Sequence, residues 1–144
     1  MRAFCARMGA TVPQRKALVL KASRILLSEK PLPERLQAFL EALLEGPFPI
    51  RSGKLYLRKG EGLRLVAQLG GEAGGEEVAL SLEGGGRALG RLSLRLAPAA
   101  SLAPEDRLAL EEAAGILALA LLRERAERAE RVLRRAGECA TQAA

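Results

Sequence analysis

Two amphipathic helices are predicted in the first third of the chain. Over Gln14–Glu29 apolar residues recur three and four positions apart, which is typical of a helix with one buried side. Pro31 breaks this pattern, and Pro33 suits the first turn of a second helix, which Gly46 and Pro47 would end. The apolar residues of the second helix share the same helical spacing: Leu36, Phe39, Leu40, Leu43 and Leu44. Each helix is expected to bury one side.

From Arg51 the apolar period changes to two, which is typical of strands. Two hairpins are predicted, Lys54–Lys59 with Leu63–Leu69 and Val78–Glu83 with Arg91–Leu96. Glycine-rich triplets at 60–62 and 84–86 would supply their turns. The residues predicted to face the core are Leu55, Leu57, Leu63, Leu65, Ala67, Leu69, Val78, Leu80, Leu82, Leu92, Leu94 and Leu96.

The opposite side of the predicted strands is polar. It carries Tyr56, Arg64, Val66, Gln68, Ser81, Arg91, Ser93 and Arg95. A sheet covered on both faces would show near-continuous apolar runs, and these strands alternate instead. The helices are therefore expected to share one face of the sheet. The other face would be open to solvent or to a partner, with Tyr56, Arg64, Gln68, Arg91 and Arg95 as its candidate residues.

A long last helix is predicted from Pro104, with Glu105 and Asp106 near the positive end of its dipole. Leu108–Leu122 is apolar around much of the helix, so one side could cover the sheet while another meets a partner. A heptad-like seam continues it: Leu119, Leu122, Ala126, Ala129, Leu133, Ala136 and Ala140. Ion pairs Glu124–Arg128, Glu127–Arg131 and Glu130–Arg134 would hold this part even if solvated. A coiled coil and a solvated helix both remain open.

The length of 144 residues fits one domain. We expect a flexible segment over 1–13, a domain over 14–136 and a tail over 137–144, with Met8 as an alternative start to Met1. Abundant Arg, Glu, Leu and Pro without Asn would suit a thermophile or a GC-rich genome. The net charge of +6 is concentrated at the N-terminus, because residues 1–30 hold seven Lys or Arg and one Glu.

The composition excludes several kinds of chemistry. The chain has no His, which rules out His-based catalysis and His-ligated metals. Cys5 and Cys139 are far from any CxxC spacing, so neither a disulfide framework nor a zinc site is expected. Residues 1–30 lack the apolar core of a signal peptide, and the most apolar stretch, Ala113–Leu122, is too short to span a bilayer. A cytoplasmic protein without membrane insertion is expected.

One tract resembles the GAF domain family. Ala88-Leu89-Gly90-Arg91-Leu92-Ser93-Leu94 followed by Leu102–Leu110 is similar to the family's "iGvLsl…fspeDrelL" tract, and Ile116–Leu122 to its "qiAlAl" ending. Leu36–Leu44 and Leu55–Leu69 resemble its first core helix and first hairpin, so that the likeness covers about residues 32–125. It implies an α+β fold with an antiparallel four-stranded sheet, order 2-1-4-3, and the N-terminal helices and long C-terminal helix on one face.

The resemblance has one large departure. GAF domains that bind cyclic nucleotides or chromophores have a long segment with helices between the second and third strands, and here only Gly70–Glu77 fills that place. We therefore expect a reduced or absent ligand pocket, no cofactor and no metal, and no ligand residue is carried over. Some family members reduce free methionine sulfoxide with clustered cysteines, but Cys5 and Cys139 lie outside the matching core.

The leading hypothesis is thus a non-enzymatic GAF-like regulatory or signalling domain that acts through homodimerisation and an unidentified protein partner. The resemblance implies pairing through the first and last helices, and the surplus apolar surface agrees. The predicted partner surface comprises Leu18, Val19, Ile25, Leu117, Leu121 and Leu122.

Two other functions remain open. A nucleic-acid-binding protein could use the basic segment Arg2–Lys30 or the sheet arginines Arg64, Arg91 and Arg95, although Tyr56 alone could stack on bases. A roadblock-like dimerisation module would also place its helices on one side of a sheet, but that family has a helix between its second and third strands. An enzyme is disfavoured, because no nucleophile–base pair is recognisable.

Overall fold

The computed structural model describes residues 10–71 and 74–143, and the side chains of 10–71 and 74–137. The chain forms the following elements in order: α1 (Val12–Leu26), α2 (Leu32–Glu45), β1 (Ile50–Lys59), β2 (Gly62–Leu69), β3 (Glu77–Gly84), β4 (Arg87–Leu96) and α3 (Pro104–Ala143). The strands make one antiparallel sheet of order β2-β1-β4-β3, which confirms the predicted architecture. None of the helices within the described residues is long and apolar enough to cross a membrane.

The helices lie on one face of the sheet. α2 packs on β1 and β2, α3 packs mainly on β3, and α1 packs against α2 and α3. The core between them is built largely from leucine around Phe39, which is fully buried. The predicted inward residues Leu92, Leu94 and Leu96 are likewise fully buried. Because the core residues sit at strand and helix periods, local sequence pattern and global packing agree across most of the sheet.

α1 begins two residues earlier than predicted. The Thr11 side chain accepts a hydrogen bond from the Gln14 N–H, and the Gln14 side chain accepts one from the Thr11 N–H at 2.8 Å. This capping box satisfies free N–H groups of the first turn. The helix ends at Leu26, three residues before the predicted Glu29. Residues 1–9 of the predicted flexible segment lie outside the described residues, while Ala10 is buried.

A β-bulge in β2 overturns part of the predicted sheet pattern. Leu55 pairs with Ala67, but the next residue, Tyr56, pairs with Leu65, so Val66 is an extra residue in β2. One extra residue reverses the faces of the side chains on one side of it, here those that precede Val66 in β2. Leu65, predicted to face the core, therefore lies beside Tyr56 on the open face and is 42% exposed, and Leu63 is 52% exposed.

The bulge moves Arg64 in the opposite direction. Arg64 pairs with Leu57, and residues directly opposite one another on paired strands project from the same face. Arg64 therefore lies on the helix side of the sheet, and Val66 lines the same cleft as Arg64. The placement of Arg64 and Val66 on the open face was wrong, because strict alternation does not anticipate the bulge.

The ends of the hairpins and of α3 also differ from expectation. Gly85 and Gly86 form the β3–β4 turn with φ values of 61° and 75°, a conformation that glycine adopts without strain. β1 starts at Ile50, four residues before the predicted Lys54. α3 has 40 residues and continues through Ala143, so the expected tail from residue 137 is helical up to that point. At about 60 Å, this helix is much longer than the sheet it covers.

Candidate functional site

Three residues of the predicted partner surface are part of the chain's own core. Leu18 is 4% exposed, Leu117 is fully buried and Leu121 is 5% exposed. These residues cannot form a partner surface, and their assignment was wrong. Leu122 is half-buried and packs over Gly84 at the β3–β4 turn. The error has a simple cause: helices with broad apolar sides do not reveal from sequence which side the sheet will cover.

Exposed apolar side chains lie instead on α1, on its C-cap residue Leu27 and on the adjacent part of α3, and we call this set the helix-pair face: Val12, Leu20, Leu27, Leu108 and Leu119. Each of these side chains is between 53% and 67% exposed. A groove with a volume of about 530 Å³ runs between the two helices, and Val12, Val19, Leu20, Leu108 and Ala109 supply its apolar lining. Val19 is thus a predicted residue that does reach this surface, and it is half-buried there.

The start of α3 is fixed to the start of α1 by a buried carboxylate. Asp106, which is 1% exposed, accepts hydrogen bonds from the Ala10 N–H at 3.2 Å and 3.3 Å. Arg15 donates to the Asp106 Oδ1 at 3.3 Å and to the Ala10 carbonyl oxygen. Because Asp106 lies in the first turn of α3, its charge also meets the positive end of that helix. The relative position of the two helices in the helix-pair face is therefore set by a specific contact.

Beyond the sheet, α3 projects as a largely exposed helix. Val132 is 61% exposed and Leu133 is 72% exposed. The predicted seam residues Leu119, Ala126, Ala129, Leu133 and Ala136 are exposed, while the side chain of Ala140 lies outside the described set. The projecting helix therefore continues the exposed apolar line of the helix-pair face.

The ion pairs of α3 follow the prediction only in part. Glu130 and Arg134 pair at 3.2 Å, as expected. Glu124 instead pairs with Arg35 of α2 at 3.1 Å, and Glu127 pairs with Arg123 at 3.0 Å. The expected pairs of Glu124 with Arg128 and of Glu127 with Arg131 were wrong, because the tertiary fold offers Glu124 a partner on another helix.

The open face of the sheet carries a polar cluster centred on a residue that the sequence pattern placed in a loop. Glu77 is the first residue of β3, and its carboxylate accepts a hydrogen bond from Ser93 Oγ at 2.6 Å. Arg91 lies 3.4 Å and Arg95 lies 3.6 Å from its oxygens. The Ser93 hydrogen bond, followed by the charges of Arg91, Arg95 and Lys54, lowers the pKa of Glu77 from its ordinary value of 4.5.

Glu77 changes the electrostatics of the open face. Arg91 and Arg95, which the sequence placed on a face open to solvent or to a partner, are both paired with this carboxylate. Tyr56 and Gln68 do lie on the face as predicted, since they pair across the sheet with Arg91 and Lys54 respectively. The signal for Glu77 in the sequence was its position two residues before Ala79, whose side chain points away from the core.

A hollow on the open face lies beside Gly70, where β1 begins and β2 ends. Its polar lining comes from Ser52, Lys54, Gln68 and Arg95, and its volume is about 550 Å³. These hydroxyl, amide, ammonium and guanidinium groups can donate hydrogen bonds to a small polar molecule. Within the described residues, no group of three His, Cys, Asp or Glu side chains could hold a metal ion.

Comparison with known proteins finds the same fold in solved structures, although no family model and no curated sequence matches the chain. The fRMsr of Staphylococcus aureus, solved with its substrate, superposes with a TM-score of 0.64 at 14% identity, over 74% of this chain and 95% of that one. The nlh2 GAF domain of A. aeolicus, in an inactive state, gives 0.61 at 12% identity, over 78% and 98%.

A GAF sensor protein from Burkholderia vietnamiensis gives a TM-score of 0.65 at 16% identity, over 74% of this chain and 93% of that one. Likenesses at these identities establish the fold alone. The chain therefore has a GAF-like fold, as the resemblance of its Gly90–Leu94 tract implied.

Proposed function

We propose that this chain is a non-enzymatic regulatory domain that acts by pairing with a second copy of itself and by contacting a protein partner. The observation that carries the proposal is the helix-pair face. Monomeric proteins seldom leave several large apolar side chains exposed side by side on adjacent helices. A two-fold axis through this face would bring the same side chains of both copies together and remove them from water.

The polar cluster on the open face supports the non-enzymatic part of the proposal. Glu77 accepts a hydrogen bond from Ser93 and is ion-paired with Arg91 and Arg95, and these contacts favour its ionised form and lower its pKa. A permanently charged, paired carboxylate is a poor general acid or base there, because catalytic groups need a pKa near the operating pH. The solved neighbour that holds a substrate is similar in fold only, and its activity does not transfer at 14% identity.

The same cluster weakens the nucleic-acid alternative that relied on the sheet arginines. Glu77 offsets two of the three arginines, and Arg64 lies on the other face of the sheet. Tyr56 is the single aromatic side chain among the four strands, which leaves few surfaces on which bases could stack.

The oligomeric state tests the dimer directly. We expect light scattering of the chain at tens of micromolar to give the mass of a dimer. The double variant Leu108→Ser, Leu119→Ser should shift the mass towards a monomer, because it removes two of the most exposed apolar groups of the helix-pair face. Leu63→Ser, an exposed leucine on the opposite face of the sheet, is the matched control and should leave the dimer intact. A wild-type monomer, or equal effects of both changes, would refute this dimer.

A further inference from the structure

A second cleft lies between the β1–β2 hairpin and α3, on the helix side of the sheet. We call it the basic groove. Its volume is about 410 Å³, and the half-buried side chains of Leu32, Leu57 and Val66 form its apolar floor. Neither the resemblance nor the open face of the sheet accounts for it.

The rim of the basic groove is strongly positive. Lys59 and Arg64 line it from the hairpin, and Arg125 and Arg128 line it from α3. None of these four cations forms an ion pair within the described part of the chain, whereas most arginines elsewhere in that part do. Among the described residues that line the groove, Glu124 is the one carboxylate, and Arg35 pairs with it.

Two tertiary features create this charge. The bulge at Val66 turns Arg64 from the open face to the groove, where it joins Lys59 at the end of the β1–β2 hairpin. Arg35 draws Glu124 away from Arg128, which would otherwise be its i,i+4 partner on α3. Each feature adds an uncompensated positive charge at the same place, so the groove retains a net attraction for anions.

We infer that the basic groove binds an acidic segment of a protein partner, with carboxylates meeting the rim and an apolar side chain reaching the floor. Charge complementarity selects an acidic occupant. The aliphatic floor selects a peptide over a nucleic acid, because none of the described residues that line the groove is aromatic, and Tyr56 lies on the other face of the sheet. The inference depends on the proposed function only in requiring a protein partner.

Binding at the groove is compatible with the proposed dimer. Each residue turns a helix by about 100°, so Leu119 and Ala126 project from the side of α3 roughly opposite to Leu121, Arg125 and Arg128. The helix-pair face and the basic groove therefore use different sides of the same helix. A partner bound in the groove would not need to displace a second copy.

Fluorescence anisotropy with a labelled peptide of alternating glutamate and leucine tests the inference on the full chain. Binding should weaken with added salt and should be about two- to fivefold weaker for each of Arg64→Gln and Arg128→Gln, the range expected for exposed ion pairs. Arg51→Gln removes one charge at the other end of β1, about 26 Å along the strand from Lys59, and should leave affinity unchanged. Circular dichroism of each variant checks that the fold persists.

Three probe comparisons separate the possible occupants. A peptide with glutamine in place of glutamate should not bind, and one with serine in place of leucine should bind more weakly, which would support the floor as an anchor site. Tighter binding of a single-stranded oligonucleotide of equal charge would overturn the peptide assignment. Equal losses for Arg51→Gln and Arg64→Gln would show non-specific attraction and would overturn the site.

The groove and the dimer fail independently. If Arg64→Gln and Arg128→Gln changed the mass in light scattering, the occupant would be a second copy and the inference would be wrong. If the Leu108→Ser, Leu119→Ser variant became a monomer but bound the acidic peptide as before, both ideas would stand. A wild-type monomer that still bound the peptide at the groove would refute the dimer alone.

Discussion

Arg35 is the side chain whose removal should reveal most about how this fold is held. It is 11% exposed and lies on α2. Its guanidinium donates to the Leu26 carbonyl oxygen at 3.0 Å, to the Lys30 carbonyl oxygen at 2.8 Å and to the Glu124 carboxylate at 3.1 Å. One side chain thus joins the end of α1, the loop that follows it and the part of α3 around Glu124, where that helix begins to project beyond the sheet. We consider the change Arg35→Met, which keeps most of the aliphatic stem but removes every donor.

The expected loss follows from the partners left behind. Each carbonyl hydrogen bond contributes about 1 kcal/mol net, and the charged bond to Glu124 about 1.5 kcal/mol. The lower value for the charged bond applies because Glu124 is 21% exposed and can turn to water or to Arg131, which already lies 4.0 Å away. We therefore expect Arg35→Met to lower the free energy of unfolding by about 3.5 kcal/mol, which corresponds to roughly 12 °C in Tm for a chain of this size.

Two controls make the measurement specific. Arg35→Lys keeps the charge but cannot reach three acceptors in a planar fork, so its loss should be smaller but clear. Arg123→Met removes an exposed i,i+4 pair with Glu127 and should cost about 0.5 kcal/mol. Urea unfolding followed by circular dichroism gives these values, and all variants must be compared at one protein concentration because a dimer gains stability by mass action.

The same change also affects the basic groove. Without Arg35, Glu124 is free to pair with Arg128 as well as with Arg131, so its charge would offset part of the rim, and affinity for the acidic peptide should fall although Arg35 is not one of the rim cations. An Arg35→Met loss no greater than that of Arg123→Met would refute the view that this guanidinium holds the three segments together. Unchanged peptide affinity would refute the proposed competition between Arg35 and Arg128 for Glu124.

Three further predictions address other parts of the fold. Asp106→Ala would leave the Ala10 N–H without its acceptor, so urea unfolding should show a loss of about 2 kcal/mol, and a smaller one for Asp106→Asn, which keeps an oxygen acceptor. Gly90→Ala would place a Cβ against the Tyr56 carbonyl oxygen, and the paired backbone of β1 cannot move away easily. The Tm should therefore fall by several degrees, or the chain should not fold, and an unchanged Tm would contradict the strand pairing. The pKa of Glu77 is below 4.5 in the folded chain, so the stabilising effect of its ionised carboxylate is complete at neutral pH and is lost as the pH falls through the folded-state pKa. An NMR titration midpoint of this carboxyl at or above 4.5 would contradict the cluster.

The sequence by itself determined the elements and most of the core. The helical spacing of Leu36, Phe39, Leu40 and Leu43 predicted α2 and its buried side, and all four are buried. The period of two predicted β3 and β4 and the buried side of each strand. These features are local: a side chain's direction repeats with the backbone period, so regular elements show their buried side in the sequence. The GAF-like motif around Gly90 then supplied the sheet order, which periodicity cannot.

The candidate surfaces were decided by the tertiary structure. The apolar pattern of α3 includes both Leu117, which is fully buried, and Leu119, which is 67% exposed, and the pattern alone does not say which side meets the sheet. The cap of α1 by Thr11 and Gln14 was, by contrast, readable in the sequence, because a capping box involves residues three positions apart.

The basic groove depended even more on distant contacts. A single extra residue at Val66 reverses the face of Arg64, and nothing in the local pattern of β2 marks it. Glu124 has arginines within reach on its own helix, yet it pairs with Arg35, 89 positions away in the chain. A sequence period fixes the relative directions of neighbouring side chains, but a bulge or a long-range ion pair changes their surroundings without changing that period. The positions of the core residues were therefore set locally, while the charge of the groove was set only when the chain had folded.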